Sequence, residues 1–380
     1  MGIFSRRARD GPAIHDRRRS ARHHHHHEPY SMATRPTFGH WLKVTWLDIL
    51  TMIIMGAVGL GVYMAHPAPS RSFAVTFSDG EVVYPEFAYP MRKEIVPIWL
   101  AAFLATVIPI VVILAMQVRI RSFWDANNAI VGLFYGVIAA AVFQVFIKWL
   151  IGGLRPHFLT VCRPDVSLAS ADPGITDGGY NAKGFNQIYY TREICTGDRD
   201  EIDDSLESMP SGHATAAFAG FVYLYLYLNA KLKVFANYHP AMWKLVAIYA
   251  PLLGACLIGG ALTIDEFHNW YDIVAGAVIG TVMAFSAYRM CYAAIWDWRI
   301  NHVPLSRVAP ISFAGDHELA GATFTRRAGW GIGGAAAAET GLGGNGVAPV
   351  GGVAGNGTGG LGYPHRKPVA SGMRRGDEMV

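Results

Sequence analysis

Charge is scarce in this chain. Asp, Glu, Lys and Arg together make up 16% of its 380 residues, where a soluble protein carries about 25%. The shortfall argues against a water-soluble globular domain. Cysteine is scarce too, with four in all, and their spacing does not resemble a zinc site. No internal repeat is visible. No signal peptide is expected, because some forty polar and basic residues precede the first apolar run and no small-residue cleavage site follows a short apolar core. Nothing suggests a nucleic-acid partner.

What the chain has instead is apolar length. Hydrophobic residues make up 52% of it. A membrane span needs roughly 20 mostly apolar residues to cross about 30 Å of hydrocarbon. Six runs meet that need, at about 45–66, 96–118, 126–150, 214–228, 245–263 and 273–295. Pro97 and Pro109 fall in the second run and Pro251 in the fifth, which kinks a membrane helix without forbidding it. The expected fold is all-α and integral to the membrane, a bundle of six transmembrane helices. Residues 1–40 read as a basic disordered segment, 41–300 as the six-span domain, and 301–380 as a Gly/Ala-rich disordered tail. Such tails bury too little apolar surface to offset their ordering entropy. The histidine run at 23–27 is either a tag remnant or a low-complexity patch and is given no function.

Orientation follows from Lys and Arg near the span ends. The N-terminal segment is rich in Arg. Arg119 and Arg121 follow the second span, Lys231, Lys233 and Lys244 follow the fourth, and Arg299 and Arg307 follow the sixth. Six spans put all of these on one side, which is then cytosolic, with both termini. Arg92 and Lys93 count mildly against this. The opposite, luminal or extracellular, side receives the long connectors 67–95 and 157–209. The second of these is acidic (Glu193, Asp198, Asp200, Glu201, Asp203, Asp204 and Glu207) and holds Cys162 and Cys195. An oxidising compartment favours a disulfide between the two. Cys256 and Cys291 lie in spans and read as small apolar residues.

Three polar clusters converge on that non-cytosolic boundary. The third span ends KWLIGGLRP, the fourth begins PSGH, and the connector before the sixth reads DEFHNWYD. Lys148 and Arg155 are seven residues apart, about two helical turns, so both can project from one face and hold a phosphate. The plainer reading of the pair is snorkelling at a span end. Ser211 and Gly212 sit at a helix start, where free backbone N–H groups bind anions; Ser211 is also a natural helix cap. His268 and Asp272 are four residues apart, which places them on one face at the start of a helix. The carboxylate then accepts a ring N–H and leaves the other nitrogen free to attack. His213 is placed to act as general acid.

Together, KWLIGGLRP, PSGH and HNWYD resemble the three-part signature of the type-2 phosphatidic-acid phosphatase family, the lipid phosphate phosphatases, which are related to the vanadium haloperoxidases. That pattern is Lys, six residues, Arg-Pro; then Pro-Ser-Gly-His; then Ser-Arg, five residues, His, three residues, Asp. The resemblance covers about residues 40–300. It implies a six-span helical enzyme with its site on the luminal or extracellular face and no metal or other cofactor. By the same resemblance, His268 attacks phosphorus and forms a phosphohistidine, Asp272 orients it, and His213 protonates the leaving group. Lys148, Arg155, Ser211 and Gly212 hold the phosphate oxygens. The implied partners are the bilayer and a lipid phosphate in it: phosphatidic acid, diacylglycerol pyrophosphate or lysophosphatidic acid, with sphingoid-base phosphates and polyprenyl pyrophosphates also open.

One part of the signature is missing. Ala261 and Leu262 stand where the family has Ser-Arg, and that Arg is a third cation on the phosphate. Either another cation substitutes (Arg163, Lys183 and Arg192 are the candidates), or the rate or the substrate differs. The alternative function is a catalytically impaired lipid-binding or interaction protein on the same scaffold. A haloperoxidase-like oxidant is disfavoured by the six spans.

Overall fold

The computed structural model describes residues 32, 34–65, 72–76, 80–171, 189–308, 310–311 and 322–325. The 23–27 histidine run, Lys183, and most of the two expected tails lie outside the described residues. The chain divides into two units, 1–343 and 344–380, and the second lies wholly outside them.

Six long helices carry the fold: α1 (Phe38–Tyr63), α2 (Ile98–Ile120), α3 (Phe123–Ile151), α7 (Gly212–Leu232), α8 (Met242–Ile264) and α9 (Trp270–Cys291). Between α3 and α7 come the short helices α4 (Phe158–Cys162), α5 (Ser167–Ala171) and α6 (Arg199–Ser205). Helix starts follow capping chemistry. The Ser122 Oγ accepts the Asp125 N–H at 3.2 Å to open α3, and the Thr37 Oγ1 accepts the His40 N–H to open α1. Pro97 caps α2 rather than kinking it, whereas Pro109 and Pro251 lie inside α2 and α8.

Five of these helices, α1, α2, α3, α8 and α9, are long and apolar enough to cross a membrane. Their exposed side chains include Ile53, Val58, Val111, Leu253, Leu257, Val278 and Val282, an apolar surface suited to lipid. The chain is an integral membrane protein. The fourth run in the sequence is different in kind. Helix α7 carries Tyr223, Tyr225, Tyr227, Asn229 and Lys231, and it packs against α2, α3, α8 and α9 at once. Tyr223, Tyr227 and Lys231 are fully buried. Enclosed by its neighbours, α7 presents polar side chains to protein rather than lipid, so it can carry them.

Close approach between α7 and α9 requires glycine. A Cβ on Gly276 would sit 2.5 Å from the Ser211 carbonyl oxygen, and one on Gly280 would sit 2.5 Å from that of Thr215. Both obstacles are backbone, which cannot swing aside. Gly276→Ala is therefore expected to push α9 off the start of α7, at a cost of about 1–3 kcal/mol. Thermal unfolding in detergent checks this. The midpoint should fall for Gly276→Ala and hold for Gly260→Ala, where an added Cβ meets nothing within 4 Å.

One end of the bundle is covered by a small cap. Strands β1 (Phe73–Ala74) and β2 (Tyr189–Tyr190) pair antiparallel. Phe73 of β1 joins Phe158, Ile194, Ile202 and Leu206 in a separate apolar cluster. A disulfide joins Cys162 at the end of α4 to Cys195.

The other end is tied together by lysine. The buried Lys231 ammonium donates to Asp125 Oδ1 and to the carbonyls of His302 and Ala322. Lys233 donates to Asn301 Oδ1 at 2.7 Å, and Lys244 to Thr325 Oγ1 at 2.6 Å. Residues 301–303 and 322–323 are buried. The stretch just after 300 thus packs onto the bundle, where composition alone suggested the start of a disordered tail. The lysines that read as loose flanking charge are its anchors.

Candidate active site

The site lies under the cap, where α3 ends and α7 and α9 begin. The Ser211 Oγ accepts the Ala214 N–H, and the Ser211 N–H donates to the Asp272 carbonyl at 3.0 Å. Ser211 is fully buried. It serves both as the helix cap and as a clamp between α7 and α9. At the start of α7 this leaves the N–H groups of Gly212 and His213 without an intrahelical partner. A Cβ on Gly212 would make only ordinary contacts, 3.5 Å or more from its neighbours. Gln144 of α3 steadies the turn by donating to the Pro210 carbonyl at 3.0 Å.

His268 does not lie on α9, as its spacing from Asp272 suggested. The helix begins at Trp270 with Asn269 as its cap, because the Asp272 carboxylate turns back to accept the Asn269 N–H at 3.0 Å. The same carboxylate accepts the Ser208 Oγ–H at 2.5 Å. It still reaches His268, with Oδ2 3.5 Å from Nδ1. The opposite ring nitrogen, Nε2, therefore points away from the carboxylate. The His268 N–H donates to the Leu262 carbonyl at 3.2 Å. His213 faces His268, with ring centroids 6.1 Å apart. Both rings are nearly buried, at 5% and 3% exposure.

Lys148 and Arg155 likewise do not share a helix. Helix α3 stops at Ile151, and Gly152 and Gly153 take φ of +51° and +111°, which favours glycine. The chain then turns, and Arg155 is set in place by its own N–H, which donates to the Ser205 carbonyl at 2.9 Å. The Arg155 guanidinium lies over the Phe267 ring and pairs with Asp204 at 2.7 Å. Lys148 donates to the Glu207 carbonyl at 2.7 Å. Despite the break, both cations act on His268. Burial first, then the charges of Arg155 and Lys148, hold its imidazole well below the usual histidine range. Burial also pushes the Glu207 carboxyl up, against the pull of Lys148.

Leu262 is fully buried in α8 and supplies no charge. Of the possible replacements for the missing Arg, Arg192 is paired with Asp203 at 2.9 Å and Arg163 is an exposed cap of α4. Asp265 accepts backbone N–H groups from Ile95 and Phe267. It ties the approach to α2 onto the His268 loop. The motifs do not point to Ser208, Asn269, Gln144, His157 or Glu94, all of which the fold brings to the site. His157 Nδ1 is 3.0 Å from the Glu266 carbonyl, and Glu94 Oε1 is 3.9 Å from His213 Nε2. The capping-box spacing of Asn269 and Asp272 could have been found in the sequence; the others depend on distant partners.

The arrangement offers a buried neutral imidazole backed by a carboxylate, a second imidazole opposite, two cations, and a helix N-terminus. Such a set suits attack on a phosphoryl group with charge stabilisation by fixed donors. Comparison with known proteins bears on this. The PAP2 superfamily pattern matches residues 129–296, a span that contains every one of these motif residues. A PA-phosphatase related-family protein of Dictyostelium discoideum is 31% identical over 263 residues, 68% of this chain and 72% of that one. Lipid phosphate phosphatase 1 of Arabidopsis thaliana is 32% identical over 247 residues, 64% and 67% of the two chains. Diacylglycerol pyrophosphate phosphatase 1 of Saccharomyces cerevisiae is 28% identical over 252 residues, 66% and 80%. No solved structure is significantly similar. With this extent of likeness to relatives over most of their length, the chain belongs to the type-2 phosphatidic-acid phosphatase family, within the PAP2 superfamily.

Proposed function

We propose that this protein is a metal-independent lipid phosphate phosphatase working through a phosphohistidine. The observation that carries the reading is the pair of facing imidazoles, His268 backed by Asp272 at 3.5 Å and His213 opposite, beside Lys148 and Arg155. In the first step, His268 Nε2 bonds to phosphorus, the ester P–O bond breaks, and His213 gives its proton to the leaving oxygen. In the second, His213 takes a proton from water as that water attacks phosphorus, and the N–P bond breaks. The phosphate oxygens lie between Lys148, Arg155 and the Gly212 and His213 N–H groups, with Ser211 holding that turn in shape.

In this reading α7 is an enclosed span that brings the number to six, the site lies at the luminal or extracellular boundary and both termini are cytosolic, which the Lys and Arg flanks of the spans support. A lipid phosphomonoester or pyrophosphate presents its head group at that depth while its chains stay in the bilayer. Phosphatidic acid and diacylglycerol pyrophosphate fit this, and relatives are named as a PA-phosphatase related-family protein and a diacylglycerol pyrophosphate phosphatase. The reading is tested by phosphate release from these two lipids in micelles containing EDTA. Release is expected from both; none from either would favour the second reading. That reading, a lipid-binding or interaction protein with impaired chemistry, draws on the buried Leu262.

A pH dependence follows from the His268 environment. Only the neutral imidazole has a lone pair to donate. Its pKa lies well below the ordinary histidine value, so the nucleophile stays intact as pH falls through about 6.5 and is lost only at more acid pH. The profile of kcat/KM, corrected for ionisation of the substrate, reports the free enzyme. Its acid limb is expected below the ordinary histidine range.

A further inference from the structure

The segment leading into α2 is fastened to the site at several points. Arg92 Nη1 donates to the Ile264 carbonyl at 2.8 Å, and the Ile95 N–H donates to Asp265 Oδ2 at 3.1 Å. Both acceptors lie just ahead of His268. One residue past Ile95, the Val96 backbone hydrogen-bonds the ring of His213. Between these ties sits Glu94, its side chain 26% exposed. Its Oε1 is 3.9 Å from His213 Nε2, a buried nitrogen that has no hydrogen-bond partner among the described residues.

We propose that Glu94 is the positioning residue of the general acid, holding the His213 imidazole with Nε2 toward the leaving oxygen and balancing its positive charge. This rests on the phosphatase reading above. The other charged groups around His213 are Lys148 from α3, Arg155 from the turn after it, and Asp204 from α6, with His268 opposite. Glu94 in turn faces Arg155, Asp204 and Asp265. Two cations suit the incoming phosphate but oppose a protonated histidine. A carboxylate beside that histidine offsets them without touching the phosphate. At 3.9 Å the contact is too long for a hydrogen bond and becomes an ion pair only when His213 is protonated, so the Nε2 proton is then free for the leaving group. Burial pushes the Glu94 carboxyl up from its ordinary value. In the step itself, the proton moves from Nε2 to the leaving alkoxide as the P–O bond breaks. The carboxylate then faces a neutral ring, and the ring regains a proton when water attacks.

A poor leaving group needs the acid and a good one does not. The test compares full-length wild type, Glu94→Gln, Glu94→Asp and His213→Gln in micelles. The substrates are phosphatidic acid and an aryl phosphomonoester of matched acyl chain. General acid catalysis is worth about 100- to 10,000-fold. Glu94→Gln should lower kcat/KM for phosphatidic acid by about 10- to 100-fold and leave the aryl ester within about threefold. His213→Gln should show the same asymmetry more strongly, and Glu94→Asp should recover part of the loss. A Glu94→Gln variant that slows both substrates alike, or neither, overturns the proposal. If wild type hydrolyses neither substrate, the phosphatase reading itself has failed and the proposal falls with it. If Glu94→Gln does not fold, the same asymmetry in Glu94→Asp decides the matter.

Discussion

Replacing His268 with alanine is expected to abolish phosphate release, lowering it by more than about 1000-fold, while the protein still folds. His268 is the imidazole with a carboxylate behind it, and Nε2 is the nitrogen on the side of the ring away from that carboxylate. Alanine leaves the Ser208, Asn269 and Ser211 bonds to Asp272 intact, so the junction of α7 and α9 keeps its clamps. The His268 backbone bond to Leu262 also survives. Nothing else in the described site offers a neutral nitrogen at the same point, since His213 lies across from it. The check is phosphate release from phosphatidic acid with EDTA present, beside unfolding midpoints in detergent. Release by the variant at even a tenth of the wild-type rate would remove His268 as nucleophile.

The second large effect concerns Arg155. Losing one pre-organised donor on a developing charge costs about 100- to 1000-fold. For Arg155 the loss should fall in the upper part of that range, because Leu262 already replaces one family cation. Arg155→Ala is expected to slow kcat/KM accordingly, with Arg155→Lys recovering little. An ammonium lacks the planar fork and cannot lie over the Phe267 ring in the same way. The effect on folding should be small. Asp204, the partner left behind, has a side chain that is 58% exposed, so no buried charge is stranded. A large drop in rate with an unchanged unfolding midpoint is the expected signature. Equal losses in both would make Arg155 a structural residue.

Much of this site is legible in the sequence, and the reasons for the remainder are physical. Lys148, Arg155, His213, His268 and Asp272 stand in local motifs, and the bundle does bring them together. The local geometry around them is harder to read. Seven- and four-residue spacings assume continuous helix. Helix α3 instead ends at a pair of glycines with positive φ, and α9 starts two residues after His268, where its capping box closes. The clamps on the site come from afar. Ser208 reaches Asp272 across 64 positions in the chain, and Glu94 comes from the approach to another helix. No periodicity announces such a pairing. At the opposite end, Lys231 gives the same positive-flank signal whether it is solvated or buried. Only the fold shows it bonded to Asp125 and to the backbone beyond residue 300. Helix α7 is the same lesson at a larger scale. Its tyrosines make it a weaker span by composition, and their burial among four neighbouring helices explains why they are there.

The stereochemical course at phosphorus tests the phosphohistidine route most directly. Each in-line displacement inverts the phosphorus centre. A phosphohistidine route has two displacements, first by His268 and then by water. A lipid phosphorothioate monoester, made chiral with two oxygen isotopes and hydrolysed in water of the third, is expected to give thiophosphate with net retention. Net inversion would mean that water attacks the substrate directly, and would contradict the role of His268 as nucleophile.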